Sequence, residues 1–369
     1  MADVARVTLQ TVADRVGVSR MTVSNAFSKP DQLSDTLRQR ILETAAELGY
    51  VGPDPAARAL ARGTSGAVGV LLTSSLPYAF TDDVAMGFLG AVADELAPTG
   101  LALTLLPSTS RDEVVPARDV ALDGALIYSC DPDTTAADWL IRRGLPVVFV
   151  DQEHRPDISS VNVDDRSGAR AAAQHVVDLG HRRIGVMTTG LRGVHGIVAD
   201  PIEDVATWKR VGRERMLGYL DVLTPLGIEP VVYRQLENSD MEARQAGREL
   251  LSVEERPTAV LCYSDVLAHG VVAAAADLGL NVPGDVSVVG FDDSPLANRM
   301  SPALTTVRQD VEAKGRAAGA ALTAAMRAAR KGEKAELVQV VLPTELVVRD
   351  STGPVRRRRG PDRRRHGLA

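Results

Sequence analysis

From about residue 66 onwards, continuous apolar runs alternate with helical stretches, and this pattern is compatible with few folds. Apolar strands joined by helical crossovers predict parallel sheets covered by helices on both faces. About 290 residues follow this pattern, so we expect two doubly wound subdomains. The predicted strands are 67–72, 101–107, 124–129, 146–151, 183–189, 259–264 and 286–293. The predicted helices are 85–97, 166–179, 209–223, 241–251, 265–278 and 310–330.

Residues 1–50 have a different pattern, with three short helices and no strand. Apolar residues at helical spacing mark the first helix, and a tight turn at Gly17 separates it from the second. The predicted N-caps are Thr8, Ser19 and Ser34, and Gly49 ends the third helix. Two helices joined by a tight turn, with a third packed beneath them, predict a helix-turn-helix domain.

Residues 51–64 are predicted to form a hinge. Asp54 can cap and Pro55 can begin a helix of about two turns that ends by Gly63. A helix this short is marginal in water, so we expect it to order only when a partner holds it.

Charge is distributed unevenly along the chain. The net charge is −6, yet residues 355–369 hold seven arginines against one aspartate. The acidic bulk of the chain repels a polyanion, so any nucleic-acid contact is expected at the ends. The arginine-rich tail, predicted to be disordered over 353–369, has two open interpretations: salt-dependent DNA affinity or a solvated tail that aids solubility.

The second helix carries a polar face suited to reading bases. Arg20 can pair with guanine, Asn25 with adenine, and Met21 can touch a thymine methyl, while Ser24 shares this face. Candidates for phosphate contacts are Thr8, Ser19, Thr22 and Ser28. The alternative is a polar helical face with no role in binding.

Four spaced motifs then point to one family. T-L-x-x-V-A, G-V-S-x-x-T-V-S, A-x-E-L-G-Y and P-D-P-A-A-R-A-L all fall within residues 8–60, and this run resembles the DNA-binding region of the lactose-repressor (LacI/GalR) family. The resemblance implies that Arg20 and Met21 determine which operator sequence is bound, and that Asn25 makes a further base contact. It also implies a homodimer on a pseudo-palindromic operator, with a hinge helix in the minor groove formed by Ala57, Arg58 and Leu60. Gly52 departs from the family's common spacing by one residue.

The rest of the chain resembles the same family, whose large domain shares its fold with periplasmic sugar-binding proteins. The matching pieces are LGHRRIG, RERMLGY, PTAVLCYSDVLAHG and VPGDVSVVGFDDSP…LTTVRQD. The expected architecture is an all-α helix-turn-helix head plus an α/β periplasmic-binding-protein-like core of two doubly wound subdomains. The core is expected over 65–352, with one subdomain from 65–163 and 310–335 and the other from 164–308 and 338–352.

Ligands of open α/β sheets bind beyond the carboxyl ends of the strands. Asp151, Asp292 and Asp293 end predicted strands after their apolar runs, Asp265 directly follows one, and Arg215 lies near the start of a helix. Carboxylate acceptors and a guanidinium donor suit a sugar or a similar hydroxylated effector. Each aspartate has the alternative role of a helix cap or turn residue. The resemblance implies that Asp292 and Arg215 clasp the effector, and Ser264 and Asp151 are further candidates.

A long segment at 190–212 exceeds the family's usual spacing. We expect it to reshape the mouth of the cleft, with Trp208 or His195 near the ligand. The alternative for Trp208 is plain core packing.

Two rival classes of function are an enzyme and a secreted binding protein. The sequence has no H-E-x-x-H, P-loop or G-x-S-x-G motif and no metal-spaced Cys/His cluster, so no enzymatic activity, cofactor or metal is expected. Cys130 and Cys262 lie apart in apolar runs, and neither a signal peptide nor a membrane-spanning segment is visible. We therefore expect a cytoplasmic, nucleoid-associated regulator, most simply a repressor, whose effector changes the subdomain angle and hence operator affinity.

Overall fold

The computed structural model describes residues 7–54, 58–60, 63–72, 76–108, 115–129, 134–189, 195–198, 208–235 and 238–356, except for the side chains of Pro30 and Tyr78. The chain divides into two compact units, Met1–Gly66 and Ala67–Ala369. Within the described residues, no helix is both long enough and apolar enough to cross a membrane.

Three helices build the N-terminal unit: α1 (Leu9–Val16), α2 (Arg20–Ser28) and α3 (Asp35–Glu47). The predicted caps are confirmed, since Thr8, Ser19 and Ser34 each accept a backbone N–H from the first turn. Gly17 adopts φ +80°, a left-handed conformation that allows the tight turn between α1 and α2. The small core contains residues of all three helices, namely Val12, Ala13, Val16, Val23, Ala26, Ile41 and Ala45.

The hinge is described in part. Residues 58–60 are helical, and the Arg58 N–H donates to the Asp54 carbonyl at 3.0 Å. Ala57, a predicted hinge contact, lies outside the described residues. Gly52, the extra residue, has φ +117°, and a Cβ at this position would lie 3.5 Å from the ring of Phe27.

The first sheet of the large unit contains β1 (Ala67–Leu72), β2 (Ala102–Pro107), β3 (Gly124–Tyr128), β4 (Val147–Val150), β5 (Ser159–Val163) and β12 (Gln339–Leu342). Its strand order is β12-β5-β4-β3-β1-β2, and all of its pairs are parallel. Helices α5 (Asp83–Leu96) and α13 (Val311–Lys331) cover one face. The other face is covered by α6 (Pro116–Asp119) and α7 (Thr135–Arg142), and a short α4 (Leu76–Ala79) follows β1. These elements form the first subdomain.

The second sheet has the order β13-β11-β10-β9-β6-β8-β7 and is parallel except at its two edge strands. Its strands are β6 (Ile184–Thr189), β7 (Gly196–Val198), β8 (Val231–Gln235), β9 (Ala259–Cys262), β10 (Ser287–Asp292), β11 (Thr305–Gln309) and β13 (Thr344–Val347). Helices α8 (Asp165–Asp178) and α9 (Arg210–Leu223) cover one face. The other is covered by α10 (Asp240–Leu251) and α11 (Asp265–Asp277), and a short α12 (Pro295–Arg299) follows β10. These elements form the second subdomain, which confirms the predicted fold class.

Two predicted boundaries are wrong. The sequence predicts that 338–352 belongs to the second subdomain, but β12 pairs with β5 of the first sheet, and only β13 joins the second. The chain therefore crosses between the subdomains three times, at 163–165, 309–311 and 342–344. The predicted disordered tail also starts too early, because Gly353 and Val355 hydrogen-bond to the second subdomain through Ser287 and Leu179. Residues 357–369 lie outside the described part of the chain.

Candidate functional site

Helix α2 presents two of the predicted base-reading residues, Arg20 and Met21, at its N-terminus. Arg20 is exposed, and Met21 is 69% exposed although it is a large apolar side chain. Ser24 and Asn25 are partly buried, and the Asn25 amide donates to the Gln32 side chain at 3.2 Å. A helix held by its inner face, with a cation and an apolar side chain outermost, has the form needed to enter a major groove.

The hydroxyl groups predicted to meet phosphates are engaged in local hydrogen bonds. Thr8 and Ser19 cap α1 and α2, and the Ser19 and Thr22 hydroxyls lie 2.8 Å apart. The Ser28 hydroxyl donates to the Ser24 carbonyl at 2.8 Å. These bonds fix the helix ends, and phosphate contact at these residues remains a prediction.

The described part of the hinge exposes the side chain of a leucine to solvent. Leu60 is 87% exposed, and Arg58 beside it is exposed as well. An exposed large apolar side chain next to a cation suits insertion between base steps, which is the predicted role of this leucine.

Strained backbone marks the carboxyl ends of the strands in the large unit. Among the described residues other than glycine, only Ser129, Asp151, Asp292 and Asp293 have positive φ, between +48° and +113°. They follow or end β3, β4 and β10, so both sheets contribute. Such strain costs about 1–3 kcal/mol per residue and clusters at functional sites. It identifies the cleft between the two subdomains as the candidate ligand site.

Arg215 lies buried on the second-subdomain side of this cleft. Its Nε donates to Asp165 Oδ1 at 2.9 Å, its Nη2 lies 3.5 Å from Asp292 Oδ1, and its Nη1 donates to the Tyr263 carbonyl. The guanidinium carbon also lies 3.6 Å from the centroid of the Phe291 ring. Burial opposes the charge, but the two carboxylates outweigh it and raise the pKa of Arg215. The predicted pair of Arg215 and Asp292 is therefore brought together.

Asp151 lies in the wall contributed by the first subdomain. Its Oδ2 accepts from Lys314 Nζ at 2.7 Å, and the same ammonium donates to Gln309 Oε1 at 2.9 Å. The Gln309 amide then donates to Asp292 Oδ1 at 2.7 Å. A continuous polar chain therefore runs from Asp151 across the cleft to Arg215.

Three further contacts join the rims of the two subdomains. Arg213 of α9 forms an ion pair with Glu153 at 2.7 Å, and Asn238 donates to Asp82 at 3.3 Å. Lys209 Nζ lies 3.5 Å from the Ser129 carbonyl oxygen. Because these contacts cross the cleft, a change in the subdomain angle must alter them.

Ser264 and Asp265 have structural partners inside the second subdomain. Ser264 caps α11 and donates to the Asn238 side chain at 2.5 Å. Asp265 accepts from the Thr306 hydroxyl at 2.5 Å and from the Ser294 N–H at 2.7 Å. Both oxygens of Asp265 are thus used to hold β11 and the loop after β10, which fits the alternative role of a cap and turn residue. Direct effector contact at either residue remains a prediction.

Replacing Asp265 with asparagine is expected to flatten the pH dependence of stability. Burial raises the pKa of Asp265 to about 7, against the hydrogen bonds from Thr306 and Ser294, which lower it. The folded protein therefore keeps a proton that the unfolded chain loses near pH 4. The free energy of unfolding should fall by up to about 1.4 kcal/mol per pH unit as the pH rises from 4 towards 7. Urea unfolding from pH 5 to 7 checks this, and equal slopes in wild type and variant would contradict it.

The long segment is described only at 195–198 and from 208 onwards. Trp208 is buried in the core that α8 and α9 form on the second sheet, which fits the alternative of core packing. His195 stacks edge-on against Tyr233, with ring centroids 5.7 Å apart. Strand β7 of this segment adds an antiparallel edge to the second sheet. A role at the ligand remains a prediction for both side chains.

Sequence reasoning missed Asp165, Gln309 and Lys314. Asp165 follows a strand of polar composition, SSVNV, that was not predicted. Lys314 did leave a signal, because it falls on the same helical stripe as Gly315, Ala318 and Leu322, which the first subdomain buries. Within the described residues, no cluster of three or more His, Cys, Asp or Glu side chains could hold a metal ion. Cys262 is buried, and Cys130 lies outside the described part.

Comparisons with known proteins identify both parts of the chain. Residues 8–52 match the family model of bacterial regulatory proteins, lacI family, and residues 173–352 match a periplasmic binding protein-like domain. The chain is 38% identical over 326 residues to the HTH-type transcriptional regulator IpsA of Corynebacterium glutamicum. This alignment covers 85% of this chain and 90% of that protein.

Two solved structures have a similar fold over nearly the whole length of this chain. The lac repressor dimer bound to operator and the anti-inducer ONPF has a TM-score of 0.74 at 27% identity, covering 94% of this chain and 99% of that one. The complex of the transcriptional regulator CelR with cellobiose has a TM-score of 0.67 at 27% identity, covering 94% and 100%. These matches confirm the family resemblance, and the chain belongs to the LacI family of DNA-binding transcription regulators.

Proposed function

We propose that this regulator is a homodimeric repressor whose affinity for a pseudo-palindromic operator is set by a neutral sugar bound between the two subdomains. The polar chain from Asp151 to Arg215 carries the proposal, because it places paired acceptors and donors from both subdomains in one cleft. Side chains of this kind recognise hydroxyl groups. The relative solved with cellobiose and the lac repressor dimer solved on its operator support the same assignment.

The mechanism follows from the contacts that cross the cleft. A sugar that binds better to one subdomain angle than to the other shifts the equilibrium between them by that difference in affinity. The ion pair between Arg213 and Glu153 and the bond between Asn238 and Asp82 change with that angle. Hinge helices around Arg58 and Leu60, one from each subunit, then hold the operator more or less tightly.

Two measurements on the full chain test this function. Selection of bound genomic fragments should return one palindromic sequence, whose half-sites lie about one helical turn or a multiple of it apart. Calorimetric titration with cellobiose, D-ribose, D-glucose, D-galactose and D-xylose should show saturable binding of at least one sugar. An absence of any enriched sequence would contradict the operator, and five flat titrations would contradict the sugar effector.

A further inference from the structure

Lys314 is a fully buried lysine on a helix whose inner stripe is otherwise small or apolar. It is the fourth residue of α13, and only 1% of it is exposed. Lysine is almost never buried this completely unless it is paired. A buried ammonium at this position therefore needs a specific explanation.

The partners of Lys314 all lie at the carboxyl ends of strands. Its ammonium donates to Asp151 just after β4 and to Gln309 at the end of β11, at 2.7 and 2.9 Å. The ring of Tyr128, at the end of β3, has its centroid 5.5 Å away. Because these strand ends border the cleft, the ammonium lies at the cleft and not beneath the sheet.

This cluster has hydrogen-bonding capacity left over. Only 7% of Asp151 is exposed, and its Oδ1 is buried without a hydrogen-bond partner in the described part of the chain. An ammonium has three N–H donors, and the described residues supply two acceptors for that of Lys314. A buried carboxylate oxygen without a donor is costly, so it indicates a group supplied from outside.

We propose that Lys314 and Asp151 form a hydroxyl-binding subsite on the first subdomain, opposite the pair of Arg215 and Asp292 on the second. One ligand hydroxyl donates to Asp151 Oδ1 and accepts from the Lys314 ammonium. Gln309 bonds to Lys314 and to Asp292, so it sets the spacing of the two subsites. The subsite rests on the proposed function and defines its ligand further.

Each subsite joins a cation with a carboxylate, so the chemistry selects a neutral ligand. A phosphate or carboxylate group on the ligand would meet the Asp151 carboxylate directly, and like charges in a buried site repel strongly. The ligand class that fits is a neutral polyol with at least two hydroxyls, one for each subdomain. Bridging the two subsites is also what would couple this ligand to the subdomain angle.

The test uses the full chain, with the sugar of the five-member panel that binds wild type most tightly as its probe. Lys314→Met is expected to lower affinity for that sugar by about tenfold or more, the effect of losing one hydrogen bond to a charged group. The control Lys331→Met, at the exposed end of the same helix, should bind as wild type does. If Lys314→Met fails to fold because Asp151 is left unpaired, the double variant Asp151→Leu with Lys314→Met removes both buried charges together.

Monodeoxy derivatives of the probe separate hydroxyl recognition from a merely structural role. For wild type, the derivative that lacks the hydroxyl bound at this subsite should bind about tenfold more weakly than the parent sugar, and the Lys314 variant should bind that derivative and the parent sugar equally. A folded variant that keeps wild-type affinity, or one that discriminates among the derivatives as wild type does, overturns the subsite alone. No binding of any panel sugar to wild type overturns the proposed sugar effector and the subsite together.

Discussion

Replacing Arg215 with methionine is expected to lower the free energy of unfolding by about 3–5 kcal/mol at neutral pH and to abolish effector binding. Arg215 is 4% exposed and its guanidinium lies between Asp165 and Asp292, so its removal leaves two buried carboxyls without their cation. Methionine fills similar volume, which restricts the loss to charge and hydrogen bonds. Urea unfolding and calorimetry with the panel sugars measure the two effects.

The loss should depend on pH in a definite direction. Burial raises the pKa of Asp292 to about 8, although Arg215 lowers it. Removing Arg215 takes away the interaction that lowers this pKa, so the folded variant binds the proton of Asp292 at a higher pH than wild type does. Through this group the variant gains stability relative to wild type as the pH falls towards about 8, and the difference then stays constant at lower pH. Arg213→Met is the matched control on the same helix, because its partly exposed ion pair is worth about 0–1 kcal/mol. Equal stabilities of the two variants would contradict the assigned role of Arg215.

Replacing Arg20 with alanine is expected to weaken operator binding by about 1–3 kcal/mol for each subunit. Since a symmetric dimer places two heads on the operator, the combined loss is about 30-fold to 10⁴-fold. Arg20 is exposed at the start of α2 and takes no part in the small core, so the fold should be unaffected. Fluorescence anisotropy with labelled operator measures the loss.

Base reading by Arg20 differs from phosphate binding in its sequence dependence. The Arg20→Ala variant should lose its preference at one base pair in each half-site and keep its affinity for unrelated DNA. Arg15→Ala, which removes an exposed cation from α1, is expected to leave the base preference intact. A variant at Arg20 that loses affinity equally for operator and unrelated DNA would show that this side chain binds phosphate only.

Local sequence patterns predicted those strands in which every residue is apolar or glycine. Strands such as β1 and β9 were recognised because every residue is apolar or glycine, and the caps of α1, α2 and α3 follow from their hydroxyl residues. Strands β5 and β11 were missed because they bury Ser159, Ser160, Thr305 and Thr306, which satisfy their hydroxyls by hydrogen bonds and break the apolar run. Threonine favours strands, but the predicted strands were recognised by continuous apolar runs, and β5 and β11 have none.

Features that depend on distant partners could not be predicted from local sequence. Gln339–Leu342 and Thr344–Val347 are neighbours around Pro343, yet they join different sheets, and only their pairing partners decide this. Lys314 meets a carboxylate 163 residues away. Asp265 and Asp292 both follow apolar strands, but Asp265 bonds inward to Thr306 whereas Asp292 faces Arg215. The position of an aspartate after a strand therefore predicted which residues were candidates. It did not distinguish a residue that faces the ligand site from one that hydrogen-bonds within the fold.

Footprinting of the full chain on the DNA upstream of its own gene and neighbouring genes, with and without the panel sugars, tests operator binding and its control by a sugar in one experiment. We predict a protected pseudo-palindrome whose affinity changes at least fivefold with one sugar, since effectors typically couple to DNA binding by about 1–3 kcal/mol. The Arg215→Met variant should protect the same sequence and ignore the sugar. Protection that no sugar alters would contradict the effector assignment, and no specific protection there or in the genomic selection would contradict operator binding itself.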